Sequence, residues 1–223
     1  MKALTVLSGG QDSTTCLYWA LVNFDENIAI TFDYGQKHNR EIECAKKIAQ
    51  DAGVGHEVIE VGNILQGTSP LVNKDYDVEQ YKDAESLPGG LEKTFVPSRN
   101  MLFLTIASNR AYVNGCDVVI TGVSEEDYGG YPDCREEFIK GMENVYVEGL
   151  EKDIKILTPL IHLDKKQTVE MAVGLPGCME AMQYSHTCYN GEFPPCGKCH
   201  ACLLREKGFE LAGVPDPMFA EVN

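Results

Sequence analysis

At 223 residues with 43% hydrophobic side chains, the chain is long enough to bury a core of its own, as one domain of ordinary size or one with a small appendage. Its formal charge of −15, from 34 acidic against 19 basic residues, opposes long-range attraction to nucleic acid phosphates or anionic membranes and points to small-molecule partners. No apolar run reaches the roughly 18–20 residues of a membrane span and no secretory pattern opens the chain, so a cytoplasmic location is expected and the nine cysteines read as thiols or metal ligands.

The apolar run Ala3–Leu7 leads into Ser8-Gly9-Gly10-Gln11-Asp12-Ser13 and then a helical stretch reaching about Asn23. A strand, a glycine turn and a helix start make an anion site. The glycines bare their N–H groups, Ser8, Ser13 and Thr14 add hydroxyl donors, and the helix N-terminus carries partial positive charge. Asp12 would repel that anion unless a Mg²⁺ lay between them. No Gly-x-x-x-x-Gly-Lys-Ser/Thr occurs, which excludes the Walker-type loop.

Further along, Asn27–Phe32 reads as a buried strand, and His38–Ala52 as a helix with Ile42, Ala45, Ile48 and Ala49 on one side. Glu57–Val61 is a third strand. Residues 62–93 lose periodicity and gain Pro70 and Pro88, which predicts a long loop insertion or lid. A helix over Asn100–Tyr112, a strand over Asp117–Val123, a helix over Glu136–Leu150, a short strand over Ile154–Leu157 and a helix over Lys165–Val173 follow. This alternation predicts an α/β fold, a parallel twisted sheet with helices on both faces, Rossmann-like. Past about Gly174 the composition shifts to Cys, Pro, Gly and Tyr, so residues 1–175 are expected to form the α/β domain and 176–223 a small metal-held C-terminal subdomain.

That subdomain rests on Cys188, Cys196, Cys199 and Cys202. Four thiolates at this spacing suit a structural, tetrahedral Zn²⁺, with Gly197 turning backbone N–H groups toward sulfur. An iron–sulfur cluster is the rival, but Glu206 stands where a ferredoxin run continues with cysteine. His186 and His200 lie near enough in the chain to replace a cysteine, though four cysteines already close the site. Lys198, Arg205 and Lys207 are placed to offset its charge, and Ala201–Leu211 reads as helix.

Ser8 to Ser13 resembles the SGGxDS loop of the PP-loop N-type ATP pyrophosphatases, which share an adenine nucleotide alpha hydrolase-like fold and cleave ATP between its α- and β-phosphates. Combined with the cysteine block, Phe32-Asp33-Tyr34-Gly35-Gln36-Lys37-His38, Val96-Pro97-Ser98-Arg99-Asn100, Asp127 to Arg135, and Thr158-Pro159-Leu160, the chain resembles the 7-cyano-7-deazaguanine synthase family nearly end to end. Ser98 and Gly129 stand where glycine and serine are expected, and 62–93 match weakly.

The resemblance implies an ATP-dependent C–N ligase that converts 7-carboxy-7-deazaguanine and free ammonium into 7-cyano-7-deazaguanine through an adenylated acid and an amide. It implies an ATP-binding stretch of Leu7, Ser8, Gly9, Gly10, Gln11, Asp12, Ser13, Thr14, Thr15, Cys16 and Leu17, with Asp12 on Mg²⁺ and Asp12, Ser13 and Lys165 catalytic. Arg99 would pair with the substrate carboxylate. Asp127 or Asp133 would accept from the guanine-like N1–H and 2-amino group, and Tyr34 or Tyr131 would stack on a base. A homodimer is implied, with no direct nucleic acid and no membrane partner. Two other readings stand beside this one: a PP-loop tRNA thiolase, and a zinc-held nucleotide-binding interaction module.

Overall fold

In the computed structural model, which describes residues 1–37, 39–125 and 130–219, five strands form a single all-parallel sheet in the order β3-β2-β1-β4-β5. The strands are β1 (Lys2–Val6), β2 (Glu26–Asp33), β3 (Gly55–Glu60), β4 (Val118–Ile120) and β5 (Lys155–Leu157). They alternate with α1 (Gln11–Asn23), α2 (Arg40–Asp51), α3 (Arg99–Val113) and α4 (Glu136–Leu150). After β5 come α5 (Lys165–Gly174), the short α6 (Cys178–Met182) and α7 (His200–Ala212).

Because side chains alternate along a strand, each strand feeds two cores. Leu4, Ile30, Val119 and Ile156 face Leu104, Ala107 and Ala111 of α3 and Ile139, Met142 and Tyr146 of α4. On the opposite face Ala3, Val118 and Ile120 meet Cys16 and Ala20 of α1, while Ala29 meets Ala45, Ile48 and Ala49 of α2. Each buried leucine or isoleucine contributes roughly 1.5–3 kcal/mol, so the two cores fix both helix layers to the sheet. The four α2 positions expected on one side are the ones buried.

The residues past 176 extend the second of these cores. Val169 and Ala172 of α5, Cys178, Ala181 and Met182 of α6, and Phe209 of α7 pack with Leu17 and Tyr18 of α1. Among the described residues, no helix is long and apolar enough to cross a membrane.

Three local departures have physical causes. β4 ends at Ile120 rather than Val123 because the chain then crosses the first turn of α1, where a Cβ on Gly122 would sit 3.1 Å from Asp12 C and Ser13 N. Ser98 starts α3 at φ 64°, in the left-handed region. This backbone costs an L-residue roughly 1–2 kcal/mol, which explains why glycine is the expected occupant. Segment 62–93 is irregular apart from one 3₁₀ turn at Ala84–Ser86, but it is docked: the Tyr81 N–H donates to the Lys198 carbonyl at 2.8 Å, and Val78 packs against the cysteine cluster.

Candidate functional site

From β1 the chain runs outward to β2 and β3 on one side and reaches β4 and β5 on the other, so a crevice opens at the C-terminal ends of β1 and β4. A cavity of about 300 Å³ lies there. The loop after β1 forms its floor. Gly9 has φ 87°, and a Cβ on it would lie 2.2 Å from the Glu41 carbonyl oxygen, so glycine alone fits against α2. The Gly9 carbonyl accepts the His186 N–H at 2.8 Å, which ties the loop to the segment after α6. The Ser8 N–H donates to Ser13 Oγ at 3.1 Å, and the two hydroxyls lie 3.0 Å apart. Among the described residues no side chain caps α1, so its first N–H groups can meet an anion.

Of the stretch expected to bind ATP, Leu7, Ser8, Gly10, Gln11, Asp12 and Ser13 line the cavity. The others lie behind it. Thr14 Oγ1 donates to the Gly10 carbonyl at 2.8 Å and Thr15 Oγ1 to the Gln11 carbonyl at 3.1 Å, so these hydroxyls are turned to the backbone. Cys16 and Leu17 are fully buried in the α1 core, and Gly9 is enclosed beneath the loop.

Lys165, the first residue of α5, places Nζ 2.7 Å from Asp12 Oδ2 across 153 residues of sequence. Asp12 Oδ1 and Gln11 Nε2 are buried without a hydrogen-bond partner among the described residues. An orphaned carboxylate oxygen beside uncapped N–H groups suits a cation carried with an anion, which fits Mg²⁺ with phosphate oxygens. The position of Lys165 is enforced from behind: a Cβ on Gly208 of α7 would lie 2.9 Å from Lys165 Cβ and 3.0 Å from its carbonyl oxygen. Gly208→Val is therefore expected to push α5 off α7 and pull Lys165 from Asp12. Turnover should fall roughly 100-fold, as for an approximately 1 Å misplacement, with stability down by about 1–3 kcal/mol. Steady-state rates beside a melting curve check this, and a variant with unchanged turnover would remove Gly208 from the device.

Across the cavity stands Arg99, with Tyr34, Tyr131 and Tyr189 around it and Phe103 on the wall. Burial pushes the hydroxyls of Tyr34 and Tyr131 above their ordinary range, so they stay neutral. Arg99 is hydrogen-bonded to the Tyr34 hydroxyl, and among the described residues no carboxylate lies within ion-pair distance of it, so the rest of its planar fork can meet a ligand. Burial pushes the Glu41 carboxyl up to about 7, with Arg99 holding it down in part.

Asp133 does not line the cavity. It is 3% exposed, its Oδ2 accepts the Asn100 N–H at 3.3 Å, and its main-chain carbonyl accepts Asn100 Nδ2 at 3.1 Å, so it serves the first turn of α3. Asp127 lies outside the described residues, as does His38. The wall instead carries Glu92, from the irregular segment, and His200, whose Nδ1 is hydrogen-bonded to Glu92 Oε1. Glu92 sits in a stretch with no periodicity, and no signal in the sequence marked it. Tyr189 belongs to the Thr187–Gly191 run that carried the family resemblance, and this signal could have placed it in the site.

Below the cavity the Sγ atoms of Cys188, Cys196, Cys199 and Cys202 all lie within 4.8 Å of one another, a group able to hold a metal ion. The Cys199 N–H donates to Cys196 Sγ at 3.3 Å, and Gly197 allows that turn with φ 67°. Neither His186 nor His200 joins the four cysteines. Arg205 does not offset their charge: it is 4% exposed and paired with Asp216 through Nε at 2.6 Å and Nη2 at 2.8 Å. Lys207 is turned to Glu85 at 3.3 Å, and Lys198 is exposed.

A family model described as queuosine biosynthesis protein QueC matches residues 2–213. The 7-cyano-7-deazaguanine synthase of Gloeobacter violaceus is 49% identical over 224 residues, covering 98% of this chain and 95% of the relative. The 7-cyano-7-deazaguanine synthase of Chromobacterium violaceum is 49% identical over 221 residues, covering 97% and 92%. Among solved structures, the U34-tRNA thiolase NcsA from Methanococcus maripaludis, with its 4Fe-4S cluster, overlays with a TM-score of 0.46 at 16% identity, covering 100% of this chain and 76% of its own.

Proposed function

The chain belongs to the QueC family of queuosine biosynthesis proteins, and from that premise we propose that it converts 7-carboxy-7-deazaguanine, ammonium and ATP into 7-cyano-7-deazaguanine. The observation that carries the reading is the Asp12–Lys165 pair at 2.7 Å beside the uncapped start of α1, opposite an Arg99 with no carboxylate partner among the described residues. One end offers positive groups to a polyphosphate and the other offers a fork to an acid.

A carboxylate has no good leaving group, so it is activated first: its oxygen attacks the α-phosphorus of ATP and the bond to pyrophosphate breaks. Lys165 and the N–H groups of the loop after β1 face the charge that builds on the departing pyrophosphate. Arg99 holds the acid in line, and the tyrosines around it exclude water from the reacting carbonyl. Ammonia then displaces AMP to give the amide. The amide oxygen then attacks the α-phosphorus of a second ATP, releasing pyrophosphate, and loss of AMP with the two protons on nitrogen leaves the nitrile. Asp12 Oδ1 would hold Mg²⁺, which supplies charge neutralisation between carboxylate and phosphate.

For the four cysteines we propose a structural Zn²⁺. Tetrahedral bonds of about 2.3 Å set sulfurs about 3.8 Å apart, and Cys196 Sγ lies 3.9 Å from Cys202 Sγ. An iron–sulfur cluster spreads its thiolates over separate irons. Residues 1–175 would carry nucleotide chemistry and 176–223 the metal, a division of roles across a shared core. A homodimer in the cytoplasm completes the proposal.

The experiment is direct. Purified protein is incubated with ATP, ammonium and the carboxylic acid, and the product is weighed by mass spectrometry. The nitrile with release of AMP is expected, and AMP release that depends on tRNA instead would overturn the proposal in favour of a thiolase.

A further inference from the structure

Three carboxylates line the cavity among the described residues: Asp12, Glu41 and Glu92. Asp12 holds Lys165. Glu41 stands in the field of Arg99, at the end assigned to the substrate acid and away from the base edge. Glu92 differs from both in being fixed in direction. Its side chain is 3% exposed, its Oε1 is bonded to His200 Nδ1, and its Oε2 accepts Thr94 Oγ1 at 2.8 Å. Thr94 Oγ1 lies in turn 2.6 Å from the Tyr131 hydroxyl. A buried charge held this way costs stability unless it is fully satisfied. The Tyr81 hydroxyl is a third partner; each carboxylate oxygen can accept twice, so Glu92, which lines the cavity, keeps acceptor capacity for a further donor. His200 lines the same wall, and its Nε2 is buried with no hydrogen-bond partner among the described residues. Glu92 and His200 thus stand side by side in the cavity wall as adjoining acceptors.

A 7-deazaguanine ring presents the complement on the edge remote from its 7-substituent, with N1–H and the 2-amino group as neighbouring donors. We propose that Glu92, oriented by His200 and Thr94, is the residue that reads this edge and so selects a 2-amino-4-oxo heterocycle. The inference rests on the reading of the cavity as the site of 7-carboxy-7-deazaguanine. Arg99 then meets the acid, Tyr131 and Tyr189 flank the ring, and Glu92 closes the far end. It also gives the irregular segment 62–93 a purpose: docked through Tyr81 on Lys198, it carries Glu92 into the wall of a site otherwise built by the sheet domain and the cysteine block.

Binding by titration calorimetry, without ATP, tests this with two probes: 7-carboxy-7-deazaguanine and its counterpart lacking the 2-amino group. The wild-type protein is expected to bind the first about 10- to 100-fold more tightly, as for a hydrogen bond to a charged group. Glu92→Gln is expected to weaken the first by that factor, to weaken the second by less, since only its N1–H contact is left to lose, and to keep its metal. Equal binding of both probes by the wild type, or an equal loss of both in Glu92→Gln, overturns the proposal, and the wild-type comparison stands whether or not the variant folds. Absence of nitrile product alongside an intact 2-amino preference would overturn the synthase reading alone.

Discussion

Replacing Asp12 by asparagine is expected to abolish nitrile formation, with turnover falling at least roughly 10²–10³-fold, the scale of losing one group that stabilises transition-state charge. The side chain keeps its shape, so α1 and its packing survive. What disappears is charge. Asp12 Oδ2 no longer anchors Lys165 at 2.7 Å, and Oδ1, buried without a hydrogen-bond partner among the described residues, no longer offers a charged seat to a cation. The ammonium of Lys165, 14% exposed in a wall shared with Ser8 and Gly10, loses the charge that holds it beside the start of α1. Radiolabel from the α-phosphate of ATP should then fail to reach AMP, while metal content and melting midpoint stay near those of the wild type. Full activity of Asp12→Asn would refute the assignment of this pair.

Cys199→Ser is expected to act through the fold instead. Cys199 precedes α7 as its N-cap residue, and the four thiols draw together residues 188–202 and the buried Val78 of the docked segment. Binding of structural zinc by small domains is worth about 10–16 kcal/mol. Here most of the chain has its own core, so losing the ion should cost less, about 4 kcal/mol, and lower the midpoint by roughly 8–16 °C for a chain of this size. Turnover should fall too, because α7 positions Lys165 through Gly208 and presents His200 to the cavity. Elemental analysis of the wild-type protein should find one zinc per chain. Iron with sulfide, and the visible absorbance they bring, would overturn the zinc assignment, and a Cys199→Ser protein as stable as wild type would overturn the structural role.

The alternation of strands and helices was readable because each element advertises itself locally: Ile42, Ala45, Ile48 and Ala49 recur at helical spacing, and Val118, Val119 and Ile120 form a run buried on both faces. The loop after β1 and the cysteine spacing were readable for the same reason, since their chemistry sits within a few consecutive residues. Roles that depend on which way a side chain turns were not. Thr14 looks like a phosphate donor in sequence, yet in a helix such hydroxyls reach back to the preceding turn, as those of Thr14 and Thr15 do here. Asp133 looks like a base-reading carboxylate, yet it is held at the first turn of α3.

By itself, then, the order of residues determined the parallel α/β scaffold, the glycine turn between β1 and α1 and the cysteine quartet able to hold a metal, because short-range periodicity and spacing suffice for each. Only the tertiary structure decided which distant groups converge. It brought Lys165 to Asp12 from 153 positions away, let Gly122 and Gly208 admit close backbone passage, and set Glu92 and His200 into one wall. These pairings arise when separate elements dock and displace water between them, and no local pattern in the chain encodes the distance at which they meet.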